Sequence, residues 1–480
     1  MSYQKFTKDI GIIGLTQLII ALKGLIFLPI ITKLLGVENY GIWAQLIITL
    51  SLITLITTLS LPYTLVRFLA AEKNKEEIQD GFYSVLTIIL GIALVFALIL
   101  IFFSGPISNF FGGEKILVQI LAFIIIFECL NQVFFNIFRT FQRIGKFSSF
   151  IIFQTLGEIG LVATTILLGY GLLGAVLSLL IIRFINFLAM GSYIIKNIGI
   201  KVPKFLRIKE YLQFGLPTIP ANTSSWVIQS SDRYLIGFFL GTLFVGYYTP
   251  AYVIGNSISF FIIPFSFVLP AVLSKLYDEN KIGEVKTYLK YSLKYFLVIG
   301  IPSVFGLSVL SKQLLTIFST TEIAEQSYFI IPFIALSILL LGIYAITIQI
   351  ISLKKKTKII GIIWTITAFL NLGLNFIFIP KFGIIGAAVT TLLAYSLVFI
   401  LVWYYSFREF QFEIEWKFIL KSIFVSILMS LFIIWFDPAG LLKTIIAIIL
   451  GIVLYGILIN FLKGFNKKEI EFFKNFLKKN

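Results

Sequence analysis

Histidine is absent from this chain of 480 residues, and cysteine occurs once, as Cys129. Without an imidazole, the chain lacks the usual side chain for acid–base chemistry and the most frequent ligand of an ordinary zinc site. A single cysteine excludes an internal disulfide, and Cys129 lies inside an apolar run, where it reads as a small buried side chain. We therefore predict no metal site and no bound cofactor. Charged residues are also few, at 13%.

Long apolar runs make up most of the chain, and 59% of the residues are hydrophobic. A helix needs about 20 apolar residues to cross a bilayer, and no gap between the runs is long enough for a soluble domain. These features predict an all-α membrane protein with about fourteen transmembrane helices, of which two proline-rich stretches, the seventh and eighth, should be bent. The stretches cover residues 10–35, 40–62, 82–104, 116–138, 149–168, 172–195, 211–240, 246–276, 291–310, 327–353, 359–379, 384–407, 416–436 and 441–462.

The net charge of +17 is distributed as a topology signal. A nucleic-acid-binding protein carries its cations on a solvated face, whereas these lie in short loops between apolar stretches, where they can contact anionic lipid headgroups. An even number of spans places both termini on one side, and most Lys and Arg residues fall in the loops of that side. The positive-inside rule then predicts cytoplasmic termini in a cell membrane. We expect membrane lipids as partners, and no nucleic acid.

The two halves of the sequence resemble each other. The Leu-Gly and Tyr-Gly pairs within residues 35–41 match Leu-Gly and Val-Gly within 240–246, and residues 170–175 match 382–387 at nearly the same offset. The repeated unit holds six spans, and because six is even, the repeats should be parallel, related by an axis along the membrane normal. Two such lobes enclose a cavity, as in alternating-access transporters.

The repeat sets the predicted domain boundaries. Residues 1–195 form a first lobe of six spans, and residues 196–210 form a cytoplasmic linker. Residues 211–407 form a second lobe of six spans, and residues 408–480 hold two further spans and a basic tail.

Six ionisable residues lie deep within the first seven spans. Each costs about 2.5–3.5 kcal/mol to insert, so each needs a reason to be there. One interpretation is a polar cavity lined by the first lobe and the seventh span; the other is three salt bridges between helices. Asp232 and Arg233 are neighbours about 100° apart on a helix, so we expect them to face different partners. The six are Lys23, Glu128, Glu158, Arg183, Asp232 and Arg233.

Further polar residues extend the candidates. Arg67 and Arg139 lie at span ends, where they either extend to the membrane interface or form a loading funnel for an anionic headgroup. Four amides lie within the seventh and eleventh spans, either as cavity-lining groups or as contacts between helices. These amides are Asn222, Gln229, Asn371 and Asn375.

Several motifs together resemble a known family. The segments 215–220 (GLPTIP), 230–234 (SSDRY) and 240–248 resemble the seventh-span pattern of polysaccharide biosynthesis flippases, as do segments 29–41 and 371–387 in their own spans. The chain is thus similar, over nearly its whole length, to the Wzx-like branch of the MATE/MOP transporter superfamily. The resemblance implies a V-shaped pair of six-helix lobes with two extra helices.

The resemblance also implies a function. Such proteins move polyprenyl-diphosphate-linked oligosaccharides from the cytoplasmic to the outer leaflet, and superfamily members couple transport to a cation gradient, here H⁺ or Na⁺. Other polysaccharide assembly proteins are candidate partners. In this interpretation Lys23, Arg67, Arg139, Arg183 and Arg233 hold the diphosphate, and the four amides hold sugars. Asp232, and after it Glu158 and Glu128, would exchange the coupling cation.

Three alternatives remain at this point. A multidrug exporter of the same superfamily would favour acidic and apolar groups in its cavity rather than Lys23 and Arg183. A membrane glycosyltransferase or polysaccharide polymerase would need a sizeable external loop carrying carboxylates, and the external loops here are short. A scaffolding protein would have no use for deep charges. We therefore expect a transporter and not an enzyme.

Overall fold

The computed structural model describes residues 3–465 and residue 469, and these residues form α-helices and two short 3₁₀ segments, with no β-strand. The all-α prediction is confirmed. The first nine helices are α1 (Tyr3–Thr58), α2 (Leu61–Leu69), α3 (Lys75–Phe102), α4 (Ser104–Phe111), α5 (Lys115–Thr140), α6 (Ile144–Leu167), α7 (Gly171–Ile198), α8 (Ile208–Gly215) and α9 (Ile219–Leu240). The remainder are α10 (Thr242–Gly255), α11 (Ile263–Asp278), α12 (Ile282–Val309), α13 (Ser311–Phe318), α14 (Thr321–Ser327), α15 (Ile330–Leu353), α16 (Thr357–Glu409), α17 (Trp416–Phe436) and α18 (Gly440–Phe461).

Eleven helical stretches within the described residues are long and apolar enough to cross a membrane. Two of them, in α1 and α16, contain a residue with non-helical backbone angles, Gly36 and Gly383, which divides each into two helical parts. Helix α9 is not among the eleven, because Asp232, Arg233 and a run of Ser, Thr and Asn make it unusually polar. The chain is therefore a multi-pass membrane protein, and the number fourteen stays a prediction.

Prolines bend the chain around α9 and α10, as predicted. A 3₁₀ segment, Leu216–Thr218, contains Pro217 and joins α8 to α9. A second, Asn256–Phe261, lies between α10 and α11 and is followed by Pro264. Proline has no N–H to donate, and its ring collides with the carbonyl four residues earlier. Both 3₁₀ segments therefore lie where a proline weakens the regular α-helix, whereas Pro250 and Pro270 are accommodated inside α10 and α11.

The repeat found in the sequence reappears in the backbone. Gly36 has φ 84° and ψ 174°, and its counterpart Gly241 has φ 95° and ψ 165°. Gly171 and its counterpart Gly383 have φ 59° and φ 62°. Conformations like that of Gly36 are essentially restricted to glycine. Matching motifs thus make matching turns, which supports the internal repeat independently of the sequence.

The chain divides into two compact units. One comprises Met1–Thr249 and Gly361–Thr390, and the other comprises Pro250–Ile360 and Thr391–Asn480. Helices α10 and α16 contribute residues to both. The lobe boundaries drawn from the sequence repeat remain a prediction.

A buried cation organises the second unit. The Lys294 ammonium on α12 lies 2.7 Å from a Glu415 carboxylate oxygen and 2.9 Å from one of Glu469, and its side chain is only 3% exposed. The rings of Phe418 and Phe465 flank it. Burial raises the pKa of Glu415, but its bonds to Lys294 and Lys290 outweigh that effect, so its pKa is lowered. These contacts tie the start of α17 and residue 469 to α12, and no pattern in the sequence indicates that Lys294 is buried.

The turn at Gly36 yields a prediction. A Cβ at this position meets no atom within 4 Å, so Gly36→Ala should act through the backbone alone. We expect it to lower the free energy of unfolding by about 1–3 kcal/mol, measured by thermal unfolding of the purified protein in detergent. The control is Gly14→Ala, also without a neighbour within 4 Å but inside regular helix, which should be neutral or stabilise by up to about 1 kcal/mol. Equal effects of the two changes would contradict the argument.

Candidate functional site: a buried charge network

Four of the six deep charges form one network in the first unit. Lys23 on α1 donates to Glu158 on α6 at 2.8 Å. Arg183 on α7 contacts Glu158 at 3.0 Å and Glu128 on α5 at 2.7 Å. Two cations thus meet two carboxylates from four different helices. In this part of the chain the interpretation as salt bridges between helices describes the contacts correctly.

Glu158 is the centre of the network. One of its carboxylate oxygens accepts from Lys23, and the other lies 3.0 Å from the Arg183 guanidinium and accepts from the Gln154 amide at 3.2 Å. Its side chain is 1% exposed. An isolated buried carboxylate would be costly, but a buried ion with this many donors is tolerated because its lost hydration is replaced. Glu158 therefore holds α1, α6 and α7 in one arrangement.

Amide side chains complete the network, and the sequence analysis overlooked them. Gln132 donates to Glu128 at 2.9 Å from the next turn of α5, and Asn186 on α7 donates to Gln154 at 2.9 Å. Asn131 donates to the carbonyl of Arg183 at 3.0 Å. The sequence did contain an indication of two of these contacts. Gln132 lies four residues from Glu128, and Gln154 lies four residues from Glu158, so each glutamine shares a helix face with its glutamate.

Lys23 differs from the other three members in exposure. Its side chain is 30% exposed, compared with 6% for Arg183 and 13% for Glu128. An ammonium has three N–H donors, and one of them is directed at Glu158. The most exposed charge of the network is therefore a cation, Lys23, whereas its two carboxylates are more deeply buried and bind Lys23 and Arg183.

Asp232 and Arg233 form a separate pair on α9. The Arg233 guanidinium lies 3.0 Å from the Asp232 carboxylate, and the Tyr248 hydroxyl donates to the other carboxylate oxygen at 2.6 Å. Arg233 also donates to the carbonyl of Gln229. The expectation that the two neighbours face different partners is wrong for this contact. The 100° between their Cα–Cβ directions is overcome because the long arginine side chain folds back over its neighbour.

The eleventh-span amides bond to each other. Asn375 donates to Asn371 at 3.2 Å, and Asn371 donates to the carbonyl of Thr390 at 3.3 Å. The Thr390 hydroxyl donates to Asn375. All three residues are fully buried. They connect the two parts of α16 across the turn at Gly383, which matches the interpretation of these amides as contacts between helices.

The remaining candidates lie apart from the network. Arg67, at the end of α2, and Arg139, at the end of α5, are both exposed, and Arg139 donates to Asn136 at 3.3 Å. Asn222 and Gln229 lie exposed on α9. Their hydrogen bonds go to Ser60 at 3.5 Å and to Ser225 at 2.9 Å. Among the residues that the structure describes, no group of three carboxylate, cysteine or histidine side chains is arranged to hold a metal ion.

A close backbone contact joins the starts of the second spans of the two repeats inside the first unit. A Cβ on Gly41 would lie 2.3 Å from the Thr242 carbonyl oxygen, and a Cβ on Gly246 would lie 2.2 Å from the Val37 carbonyl oxygen. Each contact becomes the other under the offset that relates the repeats, so the pair is self-complementary. Only glycine permits backbones to approach this closely.

Side chains continue this contact along α1 and α9. Gln45 donates to Thr242 at 3.3 Å, and the Thr49 and Tyr234 hydroxyls lie 2.6 Å apart. Nearer the other end of α9, the Trp226 indole donates to Ser51 at 2.9 Å. At that end Thr218 donates to Ser60 at 2.9 Å. Polar contacts therefore lie along α1 and α9 and just beyond both ends of α9.

Comparison with known proteins gives the site its context. A family profile described as "Polysaccharide biosynthesis protein" matches residues 6–277, and one described as "MatE" matches residues 217–377. The chain is 26% identical over 351 residues to the probable low-salt glycan biosynthesis flippase Agl15 of Haloferax volcanii, covering 72% of this chain and 73% of that protein.

Two solved structures share the fold. One is the lipid II flippase MurJ in its inward closed conformation, with a TM-score of 0.75 at 22% identity, covering 94% of this chain and 97% of that one. The other is an inward-facing multidrug resistance MATE family transporter of the MOP superfamily. Its TM-score is 0.63 at 15% identity, with 82% of this chain and 94% of that one covered. The predicted MATE-like membrane fold is confirmed.

The network predicts unequal effects of its two cations on stability. Arg183→Gln would leave Glu128 without its cation and Glu158 with Lys23 alone, in a place where water does not replace the loss. We expect a loss of about 3–5 kcal/mol in the free energy of unfolding, the usual result of breaking a buried pair. Lys23→Gln should cost less, because Glu158 keeps Arg183 and Gln154. Unfolding in detergent measures both, and Arg67→Gln is the exposed control. A larger effect of Lys23→Gln would refute the assignment of Arg183 as the anchor.

Proposed function

The chain belongs to the polysaccharide biosynthesis protein family, and on that premise we propose that it moves a lipid-linked glycan across its membrane. The substrate is an oligosaccharide joined through a diphosphate to a polyprenyl tail. The tail remains in lipid while the polar headgroup crosses along polar helix faces. The protein binds and moves this substrate and makes or breaks no covalent bond in it.

The observation that carries the proposal is the position of Lys23. Its cation lies in an apolar helix, is held by Glu158 at 2.8 Å, and is 30% exposed. The exposed side of a fixed ammonium among apolar helices can attract an anion, because apolar surroundings screen a charge less than bulk water does. A phosphate oxygen can use the N–H donors that Glu158 leaves open. Arg183, buried behind the carboxylates, acts in this proposal by holding them and so positions Lys23.

Transport by alternating access also has a structural basis. The contacts that run from Gly41 and Gly246 to Ser60 and Thr218 join the second span of the first repeat to the first two spans of the second repeat. We propose that contacts at one end of this pair separate while those at the other end persist, which opens the path to one side at a time. The close backbone approach at Gly41 then marks a closed end.

A multidrug or cation antiporter is the second candidate, because the MatE profile matches residues 217–377. Such a protein would need a carboxylate available to a cationic ligand. Here Glu128, Glu158 and Asp232 each contact a cation of the protein itself. This arrangement favours an anionic substrate.

The setting of the protein follows from the same proposal. We place it in the cell membrane with both termini in the cytoplasm, on the distribution of Lys and Arg among its loops. Its working partners would include other proteins of polysaccharide assembly, since a flipped glycan has to be made on one side of the membrane and used on the other.

Export of the glycan tests the function directly. A host strain that lacks this protein should accumulate lipid-linked sugar on the inner leaflet, and the wild-type chain should clear it. Lys23→Gln should reduce clearance by about tenfold or more, the effect of losing a charge-assisted bond to phosphate. Mass spectrometry of extracted lipids measures the clearance of lipid-linked sugar. Quantification of the protein in the membrane shows that each variant is present in equal amount. Lys115→Gln, an exposed cation at the start of α5, is the control.

The two possible failures are distinct. No accumulation in the deletion strain would overturn the proposed substrate. Normal clearance by Lys23→Gln in a strain that does accumulate would leave the function standing and place the diphosphate elsewhere.

Coupling to an H⁺ or Na⁺ gradient would require a carboxylate that changes its partner, and we propose Asp232. Its partners, Arg233 and Tyr248, come from its own and the next helix, so a bound cation could replace them without disturbing the network around Glu158. Asp232→Asn keeps the shape and removes the charge. In proteoliposomes we expect transport that no longer responds to an imposed gradient. A full response in this variant would assign Asp232 a structural role only.

A further inference from the structure

A second cationic site lies at the ends of three helices of the first unit, away from the buried network. A cavity of about 200 Å³ opens between the start of α3, the end of α5 and the end of α7. Lys75, Arg143, Tyr193 and Asn197 line its polar side. It shares no residue with the network of Lys23, Glu128, Glu158 and Arg183.

The cations here have only neutral partners. Arg143 donates to the Tyr193 hydroxyl and, at 3.3 Å, to the Asn197 amide oxygen. The Lys146 ammonium lies 4.0 Å from the centre of the Tyr193 ring. Within residues 3–465 and residue 469, none of Lys75, Arg143 and Lys146 forms an ion pair with a carboxylate.

The neighbouring carboxylates are engaged elsewhere. Glu76, next to Lys75, binds Lys201 at 3.0 Å, and Glu77 lies 3.6 Å from Arg207. In the buried network, by contrast, every cation has a carboxylate. Positive charge without a carboxylate partner therefore meets an apolar wall in this cavity, and an anion from outside the chain can balance it.

The other side of the cavity is apolar. Ile78, Ile137, Phe138 and Ile198 form it, and Phe138 stacks on Phe150. The three helices that meet here are among those long and apolar enough to cross a membrane, so their ends lie where hydrocarbon gives way to water. Tyrosine is favoured at that depth because it offers an apolar ring and a polar hydroxyl. One cavity thus offers an apolar wall for a hydrocarbon chain and a cationic wall for a phosphate group.

We propose that this cavity binds an anionic membrane phospholipid. Arg143, oriented by Tyr193 and Asn197, binds the phosphate with its planar fork, and Lys75 adds a second charge. The first part of an acyl chain lies on Ile78, Ile137 and Ile198. A free phosphate has the same headgroup chemistry but no use for the apolar side, and a lipid satisfies both.

Lipid binding to the purified protein tests the proposal. Full-length protein in detergent is titrated with dioctanoyl phosphatidylglycerol, and native mass spectrometry counts the bound molecules. Phosphatidylcholine with the same chains tests the need for net charge, and glycerol phosphate tests the need for chains. We expect phosphatidylglycerol to bind more tightly than both. The double variant Lys75→Gln, Arg143→Gln should weaken its binding by about tenfold.

A control pair separates the site from general surface charge. Lys358→Gln with Lys417→Gln removes two exposed cations of the second unit and should leave binding unchanged. Tyr193→Phe retains every charge and removes the hydroxyl that orients Arg143, so it should also weaken binding, even if the double variant fails to fold. Equal weakening by the control pair, equal binding of phosphatidylcholine, or unchanged binding by Tyr193→Phe would each overturn the proposal. Binding of glycerol phosphate as tight as that of the lipid would make the cavity a site for free phosphate.

Discussion

The cost of placing charge in hydrocarbon is the constraint on which the first unit depends. A charged side chain within a span is tolerated only where other protein groups replace its water. Glu158 meets this requirement with a lysine, an arginine and a glutamine drawn from α1, α6 and α7. Because each bond fixes the position of a helix, the same contacts that neutralise the carboxylate also set the geometry of the bundle. Lys23 gains its fixed position from this network without being buried by it.

Charge balance also distinguishes the interior of the first unit from the helix ends around Tyr193. Deep in the spans, each cation is matched by a carboxylate, so the interior carries little net charge. At the helix ends around Tyr193, Arg143 and Lys146 are left to neutral partners, where water and lipid headgroups make unpaired charge tolerable. The excess of positive charge in the composition is thus located at the membrane surface and not along the spans.

Much of this architecture could be predicted from the sequence, because a helix that crosses a lipid bilayer has to be long and apolar. Apolar length identified the long helices, though not short ones such as α4, α13 and α14, and the glycine motifs identified the repeat, whose turns at Gly36 and Gly241 agree in both backbone angles. The six deep charges could be counted, and their equal numbers suggested pairing. Their partners could not be assigned, because pairing depends on how helices rotate against each other. Asp232 and Arg233 contact each other, and Arg183 serves two glutamates, which no spacing rule indicated.

The contact between Gly41 and Gly246 bears on how the two repeats of this chain arose. Two equivalent residues approach each other's chains in the same way, with each glycine facing the backbone of the opposite repeat. This is the isologous geometry by which a subunit pairs with an identical copy of itself. A chain of half this length, carrying one such glycine, would have possessed both sides of the contact before any duplication joined the halves. In the present chain the two halves differ elsewhere, since four of the six deep charges lie in the first repeat and two lie on α9, while the shared crossing point is symmetric.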